Sequence, residues 1–193
     1  MAKDRYLQAL RGLAISAVVL IHCLPQCAAS VAIRPFLNFS VALFLFLSGV
    51  LTDERKFNAG GGLRRRISKV AGPYAFWSVI YLAAFPRPSW ASGFLAFAVG
   101  SVSAQMYYLL VYSQLVLLTP VLFRLLSRYR FFVYCVTPAC LLLRELAAVA
   151  GIALPLIQVF CPMWLIFYVF GLDWRRWAAL IEGRTTQLVA VLF

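Results

Sequence analysis

The sequence predicts an all-α fold, a polytopic transmembrane helix bundle with six full spans and the start of a seventh, and three observations predict it. The first is composition: 64% of the 193 residues are hydrophobic and 12% are charged, against about half and a quarter in soluble globular domains. The second is arrangement, because the apolar residues fall into runs close to the roughly 20 that cross a bilayer as a helix, with breakers and basic clusters between them. The third is a net charge of +12, gathered into those separators. A soluble domain is excluded on these grounds. A nucleic-acid reader is disfavoured too, since it needs a polar basic surface that this composition cannot supply.

The first run, residues 7–27, follows Lys3 and Arg5 as a secretory signal would. No convincing small-residue cleavage site ends it and further spans follow at once, so it reads as a retained helix. The second span is 33–52. A third, 71–86, comes after the basic stretch Arg64, Arg65, Arg66 and Lys69. The stretch 90–103 is apolar but too short and too rich in Gly and Ser to cross, which predicts a re-entrant or interfacial segment. Spans at 105–123, 131–149 and 155–172 follow, and the seventh begins near Gln187. No linker or low-complexity tract interrupts the chain, so 1–193 reads as one transmembrane domain.

Charge then sets the expected orientation. With the amino terminus on the cytoplasmic side, the inner segments hold Lys3, Arg5, Arg55, Lys56, Arg64, Arg65, Arg66, Lys69, Arg124, Arg128, Arg130, Arg175, Arg176 and Arg184. These are fourteen of the eighteen basic residues. Only Arg34, Arg87 and Arg144 fall outside, and Arg11 lies within the first span. This asymmetry is the positive-inside pattern. An anionic leaflet attracts such segments by about 1 kcal/mol per basic residue, which accounts for the charge without nucleic acid.

Arg11 and His22 are the ionisable pair inside a span, where polar groups are costly and face a cavity or a partner. They are eleven residues apart, which at about 100° per residue is roughly 20° beyond three full turns. Both therefore lie on one helix face, about 16 Å apart along the axis, able to line one cavity and unable to touch. Two readings stay open on spacing alone. Arg11 snorkels to the interface and His22, the single histidine, packs against a neighbouring helix, or the two form a site.

The run RYLQALRGLAISAVVLIH, from Arg5 to His22, resembles the opening helix of the acyltransferase-3 family, bacterial integral membrane O-acyltransferases marked by Arg, ten residues, then His. FLFLSGVLT at 44–52 resembles the family's second helix. RRRISKVAGPY at 64–74 is similar to its basic loop and proline-tyrosine start of the third helix. YYLLVYSQLVLLTPVL at 107–122 and the W-x3-Y-x2-G pattern of Trp164, Tyr168 and Gly171 fit later stretches. The resemblance thus covers essentially the whole chain, and it is the ordered series that makes it specific.

It implies transfer of an acyl group, such as acetyl, from acyl coenzyme A to a hydroxyl of a surface glycan, lipid or small molecule. His22 is implied as the base for the acceptor hydroxyl and Arg11 as a donor-binding group. The residue types suit these roles: imidazole titrates near working pH, and a guanidinium matches phosphate or carboxylate. Arg64, Arg65, Arg66 and Lys69 are implied at the donor's phosphates, a solvated basic loop being the other reading. Gly60, Gly61 and Gly62 form either a phosphate-cradling nest or a flexible loop. Ser48, Tyr107, Tyr108, Gln114 and Trp164 are candidates for the substrate cavity. Against that, Ser48-Gly49 also suits close helix packing, and aromatics at span ends are ordinary interfacial anchors.

No bound cofactor or metal is expected. The five cysteines, Cys23, Cys27, Cys135, Cys140 and Cys161, lie in or beside apolar spans with a single histidine and no carboxylate cluster, and read as core residues. Cys23 and Cys27, four apart on a helix, have poor disulfide geometry. Arg144 and Glu145 read as a local ion pair. Expected partners are membrane lipid, the acyl coenzyme A donor and a hydroxylated acceptor, in a bacterial inner membrane.

Two departures from the family stand out. Where it often carries an acid three residues before its arginine, as in LDGLRG, this chain has LQALRG with Gln8. The family core also has more spans than are read here, so the resemblance implies a fragment, a truncated product or a short member that assembles as an oligomer. A non-catalytic carrier or partner subunit is the alternative function.

Overall fold

The computed structural model describes residues 5–25, 27–58, 62–103, 106–154 and 157–182, and no strand occurs among them. In chain order the helices are α1 (Arg5–Cys23), α2 (Ala28–Leu37), α3 (Phe39–Val50), α4 (Glu54–Asn58), α5 (Gly62–Ala84), α6 (Trp90–Ala98), α7 (Met106–Arg128), α8 (Arg130–Val149) and α9 (Leu165–Leu172). Two 3₁₀ turns, Ile157–Val159 and Cys161–Met163, precede α9, and 174–182 is helical again after a turn at Asp173. The chain forms two compact units, Met1–Asp53 with Phe167–Phe193, and Glu54–Ile166.

Among the described residues, four segments are long and apolar enough to cross a membrane: Arg5–Cys23, Ser30–Val50, Met106–Arg128 and Arg130–Val149. These match the first, second, fourth and fifth of the six spans expected, and the other two are not confirmed. The third does not qualify although α5 has 23 residues. Its helix begins at Gly62, so Arg64, Arg65, Arg66 and Lys69 belong to the first turns of a helix rather than to a loop, and Pro73 lies in its interior. Basic residues followed by Gly72-Pro73-Tyr74 leave too little continuous apolar length. In place of one span over 155–172, the described part holds two 3₁₀ turns and only eight residues of α9. Proline causes the change, because Pro162 has no N–H to give a helical ladder and its ring crowds the preceding turn. The seventh span, near Gln187, lies outside the described residues.

Smaller boundary shifts have local causes. α1 stops at Cys23, two residues before Pro25, since the residue ahead of a proline avoids the helical region. The second span is divided at Asn38, whose N–H reaches back only three residues to Pro35 O at 3.3 Å. The segment expected to be re-entrant or interfacial contains α6, whose nine residues rise about 14 Å, far short of a bilayer.

In the first unit α3 is the centre. Leu45, Leu47 and Gly49 are all buried, and residues two apart point to opposite sides of a helix, so α3 is covered on both sides. α1 packs against it through a face of small residues, Ala14 and Ala17. Small side chains permit close helix approach where apolar solvent gives no hydrophobic drive. Gly49 and Gly171 make the closest approach. A Cβ on Gly49 would lie 2.7 Å from Leu172 N and 2.8 Å from Gly171 Cα, and would also meet Tyr168 O. A Cβ on Gly171 would meet Phe46 O and lie 2.9 Å from Gly49 Cα. The two helix backbones touch here, and only glycine fits at either side.

In the second unit α7 is central. Val111, Leu115, Thr119, Leu122 and Leu126 are buried along one stripe at the three- and four-residue spacing of a helix face. α5, α8 and the 3₁₀ turns pack on this helix. Phe57 of α4 stacks edge-on against Phe123, ring centroids 6.4 Å apart.

Candidate functional site

α1 runs without a break from Arg5 to Cys23, so the register of Arg11 and His22 holds in the structure. The buried line of this helix passes through Ala14 and Ala17, about 60° and 120° round the axis from Arg11 on the same side. Arg11 and His22 consequently occupy the flank: Arg11 is half-buried and His22, in the last turn, is exposed. Neither has a hydrogen-bond or ion-pair partner among the described residues. His22 is therefore not packed into a helix interface. Gln8, three residues before Arg11, is exposed as well.

Ser48 is half-buried on α3, next to the glycine of the α3–α9 crossing. Its carbonyl accepts a hydrogen bond from Thr52 Oγ1 at 2.6 Å, which closes the end of the helix. The LSG sequence thus serves close packing through Gly49. Its partner is Gly171, the last position of the W-x3-Y-x2-G pattern, and Tyr168 of that same pattern is fully buried. Two motifs read separately from the sequence meet at one crossing. No one-dimensional signal links them, although a glycine within an otherwise bulky apolar helix is a cue for close approach.

In the second unit, Arg64, Arg65 and Lys69 are exposed on the first turns of α5, and Arg66 is half-buried. The Arg66 guanidinium lies 5.5 Å from the centre of the Phe57 ring, a cation–π distance. Gly60 and Gly61 lie outside the described residues, and Gly62 opens α5.

Tyr107 and Trp164 are brought together, ring centroids 6.0 Å apart. Tyr108 is half-buried beside Tyr107 on α7. Gln114 has a structural role, in which its Nε2 donates to Val159 O at 2.9 Å and its Oε1 accepts from Cys161 N at 2.9 Å. Thr137 of α8 acts alike, its hydroxyl donating to Pro162 O at 2.7 Å and accepting from Ile166 N at 3.1 Å. Backbone that leaves the helical ladder in an apolar setting must find partners elsewhere, and these two side chains supply four of them. Sequence reading misses Thr137. The cue is Pro162, which guarantees irregular backbone in need of side-chain donors and acceptors.

Arg144 and Glu145 form the expected local pair, with Arg144 Nε donating to Glu145 Oε1 at 3.0 Å. Cys161 is buried and Cys135 and Cys140 are half-buried, but Cys23 and Cys27 are exposed. The expectation that all five are core residues is corrected for these two, which sit at and after the end of α1, beyond its packed stretch. All five are free thiols.

The acyltransferase-3 family model, described as an acyltransferase domain, matches residues 4–193. No curated protein and no solved structure matches the chain significantly. Because the family match spans all of the described helices and both the Arg11–His22 register and the Gly49 and Gly171 motifs, the chain belongs to the acyltransferase-3 family.

Proposed function

We propose that this protein is an integral membrane O-acyltransferase that moves an acyl group, such as acetyl, from acyl coenzyme A to a hydroxyl of a surface glycan, lipid or small molecule. The observation that carries the reading is the shared face of Arg11 and His22 on an unbroken α1, both without a structural partner among the described residues. His22 takes the proton of the acceptor hydroxyl as its oxygen bonds to the thioester carbonyl carbon. Collapse of the tetrahedral intermediate breaks the carbon–sulfur bond, and the proton passes to the departing thiolate, which leaves an ester and free coenzyme A. Arg11 binds an anionic group of the donor, a role suited to a guanidinium with five donors in a fixed fork. The donor's phosphates are the ligand assigned to Arg64, Arg65, Arg66 and Lys69, of which three are exposed. With all six spans crossing, the amino terminus is assigned to the cytoplasmic side of a bacterial inner membrane, because fourteen of eighteen basic residues then lie inside.

Labelled acetyl coenzyme A given to membranes that contain the protein tests the reading. Label transfer or hydrolysis that disappears in His22→Ala supports the enzyme. No turnover by a folded, inserted protein supports the alternative, a non-catalytic carrier or partner subunit, toward which Gln8 in place of the family's acid already points.

A further inference from the structure

The connection between α5 and α7 contains a cavity of about 440 Å³, lined by Leu82, Pro86, Arg87, Trp90, Phe94 and Phe97 among others. It lies at the end of α5 opposite the basic turns, since 23 residues separate the two ends of that helix by about 35 Å. We propose that this cavity binds an anionic phospholipid, with the phosphate on Arg87 and the first part of an acyl chain along Trp90, Phe94 and Phe97. The proposal concerns lipid binding alone and does not depend on catalysis.

The frame of the site is held by hydrogen bonds at both ends of α6. α6 opens with a capping box, in which Ser89 Oγ accepts from Ser92 N at 3.2 Å and Ser92 Oγ accepts from Ser89 N at 3.2 Å. It closes with Gly100 at φ 68°, where Ser101 N reaches Ala96 O at 2.9 Å and Gly100 N reaches Phe97 O at 3.3 Å. This is the Schellman pattern, which requires a left-handed residue and so favours glycine. Tyr74 fastens the helix to α5, its hydroxyl donating to Phe97 O and its ring 5.3 Å from that of Phe97. The capping box already engages the N–H groups of Ser89 and Ser92, so the guanidinium is the charged binding group for an incoming anion.

Three observations select the ligand. Arg87 is the charged residue of the lining, which contains no Asp or Glu, so the site carries positive charge. Arg87 Nη2 donates to Ser101 O at 3.0 Å, which aims the side chain and leaves further N–H donors of the guanidinium for a phosphate. The rest of the wall is mainly apolar and aromatic, and Trp90 is 98% exposed and Phe94 74%, an arrangement that suits a chain and an interface rather than a small soluble anion. One cation beside an apolar trough is complementary to an anionic amphiphile.

The test places the full chain in liposomes of phosphatidylcholine with either brominated phosphatidylglycerol or brominated phosphatidylcholine, and reads tryptophan quenching. Subtracting the signal of Trp90→Phe isolates Trp90 from the other four tryptophans. Apparent association at Trp90 should be about fivefold stronger for the phosphatidylglycerol, the effect of one basic residue near an anionic headgroup. The preference should fall to parity in Arg87→Gln and persist in Arg87→Lys. Equal quenching by the two lipids overturns the proposal, as does a preference that survives Arg87→Gln, which would mean attraction by the other basic residues. In the wild-type protein, inorganic phosphate that alters Trp90 emission as strongly as the lipid does also overturns it, because the site would then take a bare anion.

Discussion

In α1, Arg11 and His22 sit on the flank of the helix without partners among the described residues, whereas around the 3₁₀ turns Gln114 and Thr137 have each polar end engaged with backbone. All four are polar side chains carried by helices long and apolar enough to cross a membrane. Their neighbours explain the contrast. α1 is a regular helix over this stretch, so Arg11 and His22 are not needed to satisfy its backbone and are available for other chemistry. The segment 157–163 has lost its ladder at Pro162, so α7 and α8 must donate to it and accept from it. A polar residue in an apolar helix is therefore to be judged by whether irregular backbone lies opposite it.

His22→Ala is expected to give the largest effect. Removing a general base costs about 10²- to 10⁴-fold in rate, while an exposed side chain should leave thermal stability within about 0.5 kcal/mol. Acyl transfer and detergent melting measured on the same preparation check both halves, and a large loss of stability would break the contrast with Gln114.

Gly171→Val should act on the other quantity. A side chain forced against the backbone of α3 costs about 3 kcal/mol or more, so folded yield and melting temperature fall, and Gly49→Val should match it. Retention of wild-type melting would refute the close α3–α9 crossing.

Thr137→Val and Gln114→Leu come next, each stranding one buried donor and one acceptor at about 1–3 kcal/mol. The expected outcome is lower stability with transfer per folded molecule largely retained. If either variant instead keeps full stability and abolishes transfer, that side chain belongs with Arg11 and His22, and the division drawn above fails for it.

Gln8→Asp should be the smallest change. A carboxylate three residues before Arg11 stabilises the helix by about 0.2–0.5 kcal/mol, which corresponds to a shift of at most about twofold in KM for the acyl donor. A tenfold change in either direction would show that Arg11 is held far more tightly by its surroundings than its exposed neighbour Gln8 suggests.

Much of this architecture is a property of single segments and is legible for that reason. Periodicity determines that residues eleven apart on an unbroken helix share a face, whatever packs beside it, so the Arg11–His22 register needs no tertiary information. The ordered motifs likewise identify the family, and the Arg144–Glu145 pair is made by adjacent residues. Reading fails where a proline or a charge is weighed only by its effect on hydropathy. Pro162 lies within an apolar run, and hydropathy counts it as part of a span. The basic residues before Pro73 read as a loop although they fold as the first turns of α5.

The sequence by itself determined the membrane-type helical class, the family and the common face of the two candidate catalytic residues, because each depends on composition or on neighbours along the chain. Only the tertiary structure decided that Gly49 meets Gly171, that Gln114 and Thr137 serve the backbone, and that Arg87 lines a cavity with aromatic walls. Those facts depend on which distant segments come within a few ångströms of one another, and hydropathy, a sum over neighbours, carries no such distance.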